Sequence, residues 1–406
     1  MTTTAVVTTE TSKSNRPVII LAGALLVSGV LYINTDVSGQ KSALYVIGAA
    51  LGFVLYHASF GFTAAWRAVV VEQRGAGIRA QMLMLAVATA VFLPVIAAGS
   101  AFGQPVIGAI APVGMSVLVG AAVFGFGMQL GNGCASGTLY TVGGGSVRMG
   151  VTLVFFIIGS VIGSAQLPWW FSTPNIGSVA LVNTLGVAGT IAAQMGIFAV
   201  IILVTLVIER KRHGNISELA PAITPAIPLA QRLIKGPWPL IWGALGLALL
   251  NVATLMIAGH PWTISFGFAL WGAKALSVVG FDMTSVEFWT WPYPARALAG
   301  SLFAEDTSIM NFGIIVGAAI AAGLSGKFGA VRKIPLRSFL AAAIGGVLMG
   351  YGARLAFGCN VGAFFSGIAS GSLHGWLWLV AGFAGSYVGI KVRPWFGLSG
   401  RPQHSD

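Results

Sequence analysis

Gly125-Phe-Gly-Met-Gln-Leu-Gly-Asn-Gly-Cys134 and Gly350-Tyr-Gly-Ala-Arg-Leu-Ala-Phe-Gly-Cys359 align without a gap, and the correspondence runs on from Gly137 against Gly362 to Ser146-Val-Arg148 against Ser372-Leu-His374. An earlier pair repeats in the same order: Ser59-Phe-Gly-Phe62 with Trp66, and Ser265-Phe-Gly-Phe268 with Trp271. The chain therefore holds one plan twice. Cys134 and Cys359 are its only two cysteines, which excludes a disulfide scaffold and a thiolate cluster and leaves two separate thiols.

Composition puts this repeat in lipid. The 406 residues are 56% hydrophobic and only 8% charged, against about 25% charged in ordinary globular domains. Apolar runs recur at 17–34, 44–58, 80–100, 108–130, 150–167, 181–208, 237–258, 308–325, 336–356 and 374–391. These are lengths suited to the roughly 20 residues that cross about 30 Å of hydrocarbon. The expected fold class is an all-α polytopic membrane protein.

The net charge of +12 would suggest nucleic acid in a soluble protein, but the charges sort by side. Lys13, Arg16, Arg74, Arg79, Arg210, Lys211, Arg212, Arg232, Lys235, Lys327, Arg332, Lys333, Arg337, Lys391, Arg393 and Arg401 fall on one face, while Asp36, Asp282, Glu287, Glu305 and Asp306 fall on the other. This is the positive-inside pattern of an inner-membrane protein with a cytoplasmic N-terminus, so the partner is the lipid bilayer and not nucleic acid. The polar start has no clear cleavage site, and the first span is expected to be retained. Span two runs inward towards Arg67 and Arg74, whereas its counterpart, span seven, runs outward. The halves are expected to be inverted, the plan of many secondary transporters, with a site near the midplane. The expected division is 1–43 (N-terminus and added helix), 44–180 (first repeat), 181–236 (connecting helix and cytoplasmic loop, marked by Pro221, Pro225 and Pro228), 237–391 (second repeat) and 392–406 (cytoplasmic tail).

Each half also carries two segments too short and too glycine-rich to cross alone: 59–66 and 134–145, then 265–274 and 359–371. They read as re-entrant half-helices, tolerated at membrane depth where protein or a watery cavity surrounds them. Glycine alone serves close helix packing; glycine beside matched cysteines marks a site. Gly133-Cys134-Ala-Ser136-Gly-Thr138 and Gly358-Cys359-Asn360 each open such a helix, with free N–H groups and a positive dipole end that attract an anion. The thiols offer soft, weak donors, and Ser136, Thr138 and Asn360 offer contacts for oxygens. Arg67, Arg148, Lys274 and Arg354 lie near the short segments, placed either to draw an anion inward or to snorkel to headgroups. Arg354 stands five residues before Cys359.

Absences narrow the function. No acidic residue falls inside an expected span, so a carboxylate proton relay has no candidates. The histidines His57, His260 and His374 lack metal-ligand spacing. Nothing resembles a Walker A loop, a dinucleotide fingerprint or a hydrolase elbow, so no cofactor and no enzymatic activity are expected. Trp169, Trp170, Trp289, Trp291 and Trp376 read as interface anchors.

The stretch Gly-Cys-Ala-Ser-Gly-Thr-Leu-Tyr with its following Gly-Gly-Gly at 133–145, and Phe-Gly-Cys-Asn-Val-Gly-Ala-Phe-Phe-Ser-Gly at 357–367, resemble the two signature stretches of the YeeE/YedE family of bacterial sulfur transport proteins. The resemblance implies an hourglass of inverted repeats that takes up thiosulfate, or a related sulfur or selenium oxyanion, past the thiols of Cys134 and Cys359. It also implies a small cytoplasmic sulfur-carrier protein as partner. Thiosulfate transporters of the family carry a further cysteine in the first re-entrant element, where this chain has Phe62 and Thr63. The competing reading is a membrane sulfurtransferase that passes persulfide sulfur from one of the two cysteines to a cytoplasmic acceptor, which requires an activating base or cation.

Overall fold

The computed structural model describes residues 13–219, 228–329 and 334–398. The expectations for Pro221, Pro225, Arg332, Lys333 and Arg401 lie outside these residues. The described chain is almost wholly helical, and ten of its helical segments are long and apolar enough to cross a membrane. In order they are α1 (Arg16–Asp36), α2 (Gly39–Ala58) with α3 (Phe62–Glu72), α4 (Ala76–Ala98), α5 (Met115–Gly131) with α6 (Ala135–Gly143), α7 (Val147–Phe171) and α8 (Val182–His213). After a short α9 (Leu229–Lys235) come α10 (Leu240–Ala258), α11 (Ser265–Val278), a surface helix α12 (Pro292–Ala299) and α13 (Asp306–Ser325). Then follow α14 (Leu336–Leu355), a π-helical turn Asn360–Phe365 continued by α15 (Ser366–Ala369), and α16 (Leu373–Val392). Two small antiparallel ribbons tie the loops: β1 (Ser100–Ala101) with β2 (Gln104–Pro105), and β3 (Pro112–Gly114) with β4 (Asn175–Ser178). All ten apolar runs in the sequence correspond to these spans, and each of the four short segments contains a helix.

Packing between the halves is reciprocal. Helix α2 lies on α13 while α10 lies on α4, and α5 lies on α16 while α14 lies on α7; α5 and α14 also meet each other. Glycine makes these contacts possible. A Cβ at Gly52 would stand 2.0 Å from the Ile314 carbonyl oxygen, and one at Gly317 would stand 1.8 Å from that of Ala49. Backbones thus touch directly across the α2–α13 seam, as small residues permit in membranes.

Two expectations change. Helix α8 continues past 208 to His213, so Glu209 falls within it, fully buried. Its carboxylate accepts from Arg79 at 2.7 Å, Arg74 at 3.3 Å and the N–H groups of Gly75 and Ser217. A buried acid that is paired and bonded on every side is tolerated, and hydropathy alone cannot show that pairing. Trp289 is no surface anchor: it is 1% exposed, packed with Phe288, Leu167 and Ala269, whereas Trp169 is 64% exposed as expected.

Candidate functional site

The site begins with two turns of identical design. Helix α5 ends at Asn132 and helix α14 gives way at Phe357, both left-handed with φ of 68° and 55°. A glycine follows, then a cysteine in extended conformation, Cys134 with φ −81° and ψ −172° and Cys359 with φ −97° and ψ −166°, each serving as the N-cap of the next helix. Gly358 holds φ 152°, and a Cβ there would stand 2.7 Å from the Ala363 nitrogen. At Gly133 a Cβ would meet the Met149 methyl at 2.7 Å. Gly358 therefore serves the turn, whereas the Met149 side chain can yield at Gly133.

The two sulfurs differ in their surroundings. The Gly137 N–H lies 3.4 Å from the Cys134 sulfur, and the Ser136 hydroxyl is 3.3 Å away. Cys359 caps its turn without a side-chain hydrogen bond. A sulfur that accepts from an N–H group keeps its own S–H free to donate elsewhere. The two cysteines are free thiols, 1% and 0% exposed, and belong to one continuous buried cluster. Its aromatic walls come from several elements: Phe62 against Phe364 at 5.8 Å, Trp66 against Trp378 at 6.2 Å, and Phe124 against Trp378 at 5.5 Å. Helix α6 touches the π-helical turn directly. The Trp378 indole donates to the Gly358 carbonyl at 3.2 Å and so holds the second cysteine loop.

Asn360 stands out in this cluster. Its side chain is 0% exposed, and neither the amide nitrogen nor the amide oxygen has a hydrogen-bond partner. Burying an amide unpaired costs on the order of 1–3 kcal/mol, and the residue opens a π-helical turn, a form that recurs at functional sites. Thr63, in the first turn of α3, is 3% exposed with its hydroxyl likewise unpartnered. Thr138 differs: its hydroxyl donates to the Cys134 carbonyl at 2.9 Å and serves the helix.

Arg354 turns to aromatic rings. Its guanidinium stacks over Phe288 at 5.1 Å and Phe266 at 5.7 Å, with Nε unpartnered. Arg67 and Arg148 do not snorkel. Arg67 is 5% exposed and donates to Asn132 Oδ1 at 3.2 Å, while Arg148 donates to the Gly131 and Leu130 carbonyls at 2.7 and 2.9 Å. Arg393 joins them, bonding Asn132 Oδ1 at 3.2 Å and the Gln129 carbonyl. Three guanidinium groups thus gather on the C-terminal end of α5, where the helix dipole favours cations. Sequence reading missed this gathering and the role of Asn132, because the three arginines come from distant segments.

A multi-pass membrane protein with two buried thiols at matched helix starts, walled by aromatics, is the class that fold and site define. The profile of the sulphur transport family matches residues 57–388, and the chain belongs to that family. It is 26% identical to the thiosulfate transporter TsuA of Escherichia coli (strain K12) over 366 residues, covering 86% of this chain and 94% of the relative. It is also 26% identical to the thiosulfate transporter TsuA of Spirochaeta thermophila over 341 residues, 82% and 92% of the two chains. The probable transporter YedE of Escherichia coli (strain K12) is 32% identical over a shorter stretch, 38% of this chain and 37% of that one.

Proposed function

We propose that this protein carries thiosulfate, or a related small sulfur or selenium oxyanion, across the bacterial inner membrane through the neck between Cys134 and Cys359. The observation that carries this reading is the Asn360 amide, fully buried beside Cys359 with both of its polar atoms unpartnered. A passing anion supplies the missing acceptor to the amide nitrogen. The thiol of Cys359 donates to the same anion, and Ser136 and the thiol of Cys134 receive it on the other side. Helix N-termini supply the positive potential. The named relatives support thiosulfate as the cargo.

The reciprocal packing of α2 on α13 and α10 on α4, together with the side-sorted charges, supports halves 44–180 and 237–391 inverted about the midplane and joined by 181–236. Arg354, on this topology, sits at the outer end of α14 and draws anions towards the mouth. A small cytoplasmic sulfur carrier is the acceptor this reading implies. The competing reading, a sulfurtransferase that passes persulfide sulfur from one of the two cysteines to a cytoplasmic acceptor, requires an activating base or cation at the thiol. Uptake of labelled thiosulfate by proteoliposomes containing only the purified protein tests the proposal. Saturable uptake is expected, and liposomes no better than protein-free ones would refute it.

A further inference from the structure

Helix α3 has two unlike faces. Phe62, Thr63, Trp66 and Arg67 are buried, Trp66 fully, against the neck. Gly61, Ala64, Ala65 and Ala68 lie on the opposite side and line a cavity of ≈ 400 Å³, which runs from the start of α3 to Arg74 beyond its end. Small side chains leave this space open, and Ala64 is exposed within it although its neighbour Thr63 is buried. The far wall carries Gln81. Its Oε1 accepts from the Trp66 indole at 3.1 Å, which fixes the orientation of the amide because the indole can only donate. The Nε2 group is consequently left as a donor, and it is buried with no partner while Gln81 as a whole is 1% exposed. At the cavity's other end Glu72 lines the wall, and Arg74 is held on the rim by Glu209, Asn215 and Ser217.

We infer that this cavity is the cytoplasmic half of the permeation path. The anion leaves the neck around the start of α3, passes the Gln81 amide, which donates to it, and reaches the cytoplasm beside Arg74. The inference rests on the proposed transport through the Cys134–Cys359 neck and adds its inner route. The polar groups at both ends and in the wall favour water over lipid tails, which would leave the Gln81 donor unsatisfied.

Ala68→Cys tests this, since the two native thiols are buried and the new one faces the cavity. Inside-out vesicles are treated with a membrane-impermeant sulfonate thiosulfonate reagent. Modification of Ala68→Cys but not of wild type, slowed by thiosulfate and followed by a fall in uptake of about tenfold or more, is the expected result. Modification by N-ethylmaleimide alone would identify a lipid-filled cleft and overturn the inference, as would full modification with uptake intact. Labelling reads the water path whatever the cargo, so failure of the thiosulfate reading appears separately, as wild-type vesicles without thiosulfate uptake. Gln81→Leu provides a second reading: a raised KM at unchanged protein level is expected, and an unchanged KM would count against the route.

Discussion

Asn132 and Phe357 hold the same left-handed backbone conformation, each two residues ahead of a cysteine that opens a short helix. Asparagine visits this region readily; a phenylalanine there is strained. The Phe357 ring packs edge-on against Phe171 at 5.4 Å, and Gly358 follows in a conformation that glycine accepts most readily. The surrounding structure thus over-determines a turn that would not form alone, the usual condition for strain at a functional site.

Gly358→Ala should therefore destabilise the protein by about 1–3 kcal/mol, because its Cβ meets the Ala363 nitrogen at 2.7 Å while φ is 152°. Gly362→Ala, four residues on, meets only Thr263, whose Cβ is nearest at 3.4 Å, and should be nearly neutral. Thermal unfolding of the two purified variants makes the comparison. Equal losses would show that the turn is not the constraint described.

Asn360→Leu should separate stability from transport. Replacing an unpartnered buried amide with an apolar side chain of similar size removes a desolvation penalty, so the melting temperature should hold or rise. Uptake should nevertheless fall by about tenfold or more, as expected when a polar contact of more than about 1.4 kcal/mol is made only with the passing anion. A variant with normal uptake would make Asn360 a structural residue.

Much of this was legible beforehand. The ten spans, the four short helices and the paired cysteine turns follow from hydropathy and from the internal match, because lipid forces every backbone group into a helix and the repeat marks what recurs. What stayed hidden depends on tertiary contact. Glu209 lies inside a helix because Arg79 and Arg74 reach it from elsewhere. Arg67, Arg148 and Arg393 meet on α5 only after folding. Arg354 stands near Cys359 in sequence, yet its guanidinium turns to Phe288 and Phe266.

A pH dependence is expected where the loop after α10 meets the start of α13. Burial draws the His260 imidazole down, but the Asp306 carboxylate 3.3 Å away, the Pro261 carbonyl and nearby Glu305 outweigh it, and the net shift is upward from 6.5. Lys41 bonds the same Asp306 from α2. A raised folded value means that the contact stabilises fully below about pH 6.5 and loses its contribution as pH rises through the folded value. Wild-type melting temperature should fall relative to that of His260→Gln as pH is raised above 6.5. Parallel profiles would remove His260 from the account.

Topology follows from the side-sorted lysines and arginines. A reporter fused after Asp406 should read cytoplasm, and one inserted beside Glu305 should read periplasm. The same side for both would end the inverted arrangement.

Passage depends on both thiols. A thiol donor contributes about 1 kcal/mol or somewhat more, and a dianion left unpaired in a low-dielectric neck costs far more. The most direct measurement is labelled-thiosulfate uptake into proteoliposomes by Cys134→Ala, Cys359→Ala and the double variant, each checked for normal folding. Each single variant should lose about tenfold or more, the double should be little worse than the worse single, and Cys→Ser should keep part of the activity, because the thiols act in one path. Uptake at the wild-type rate by either alanine variant would contradict the central claim.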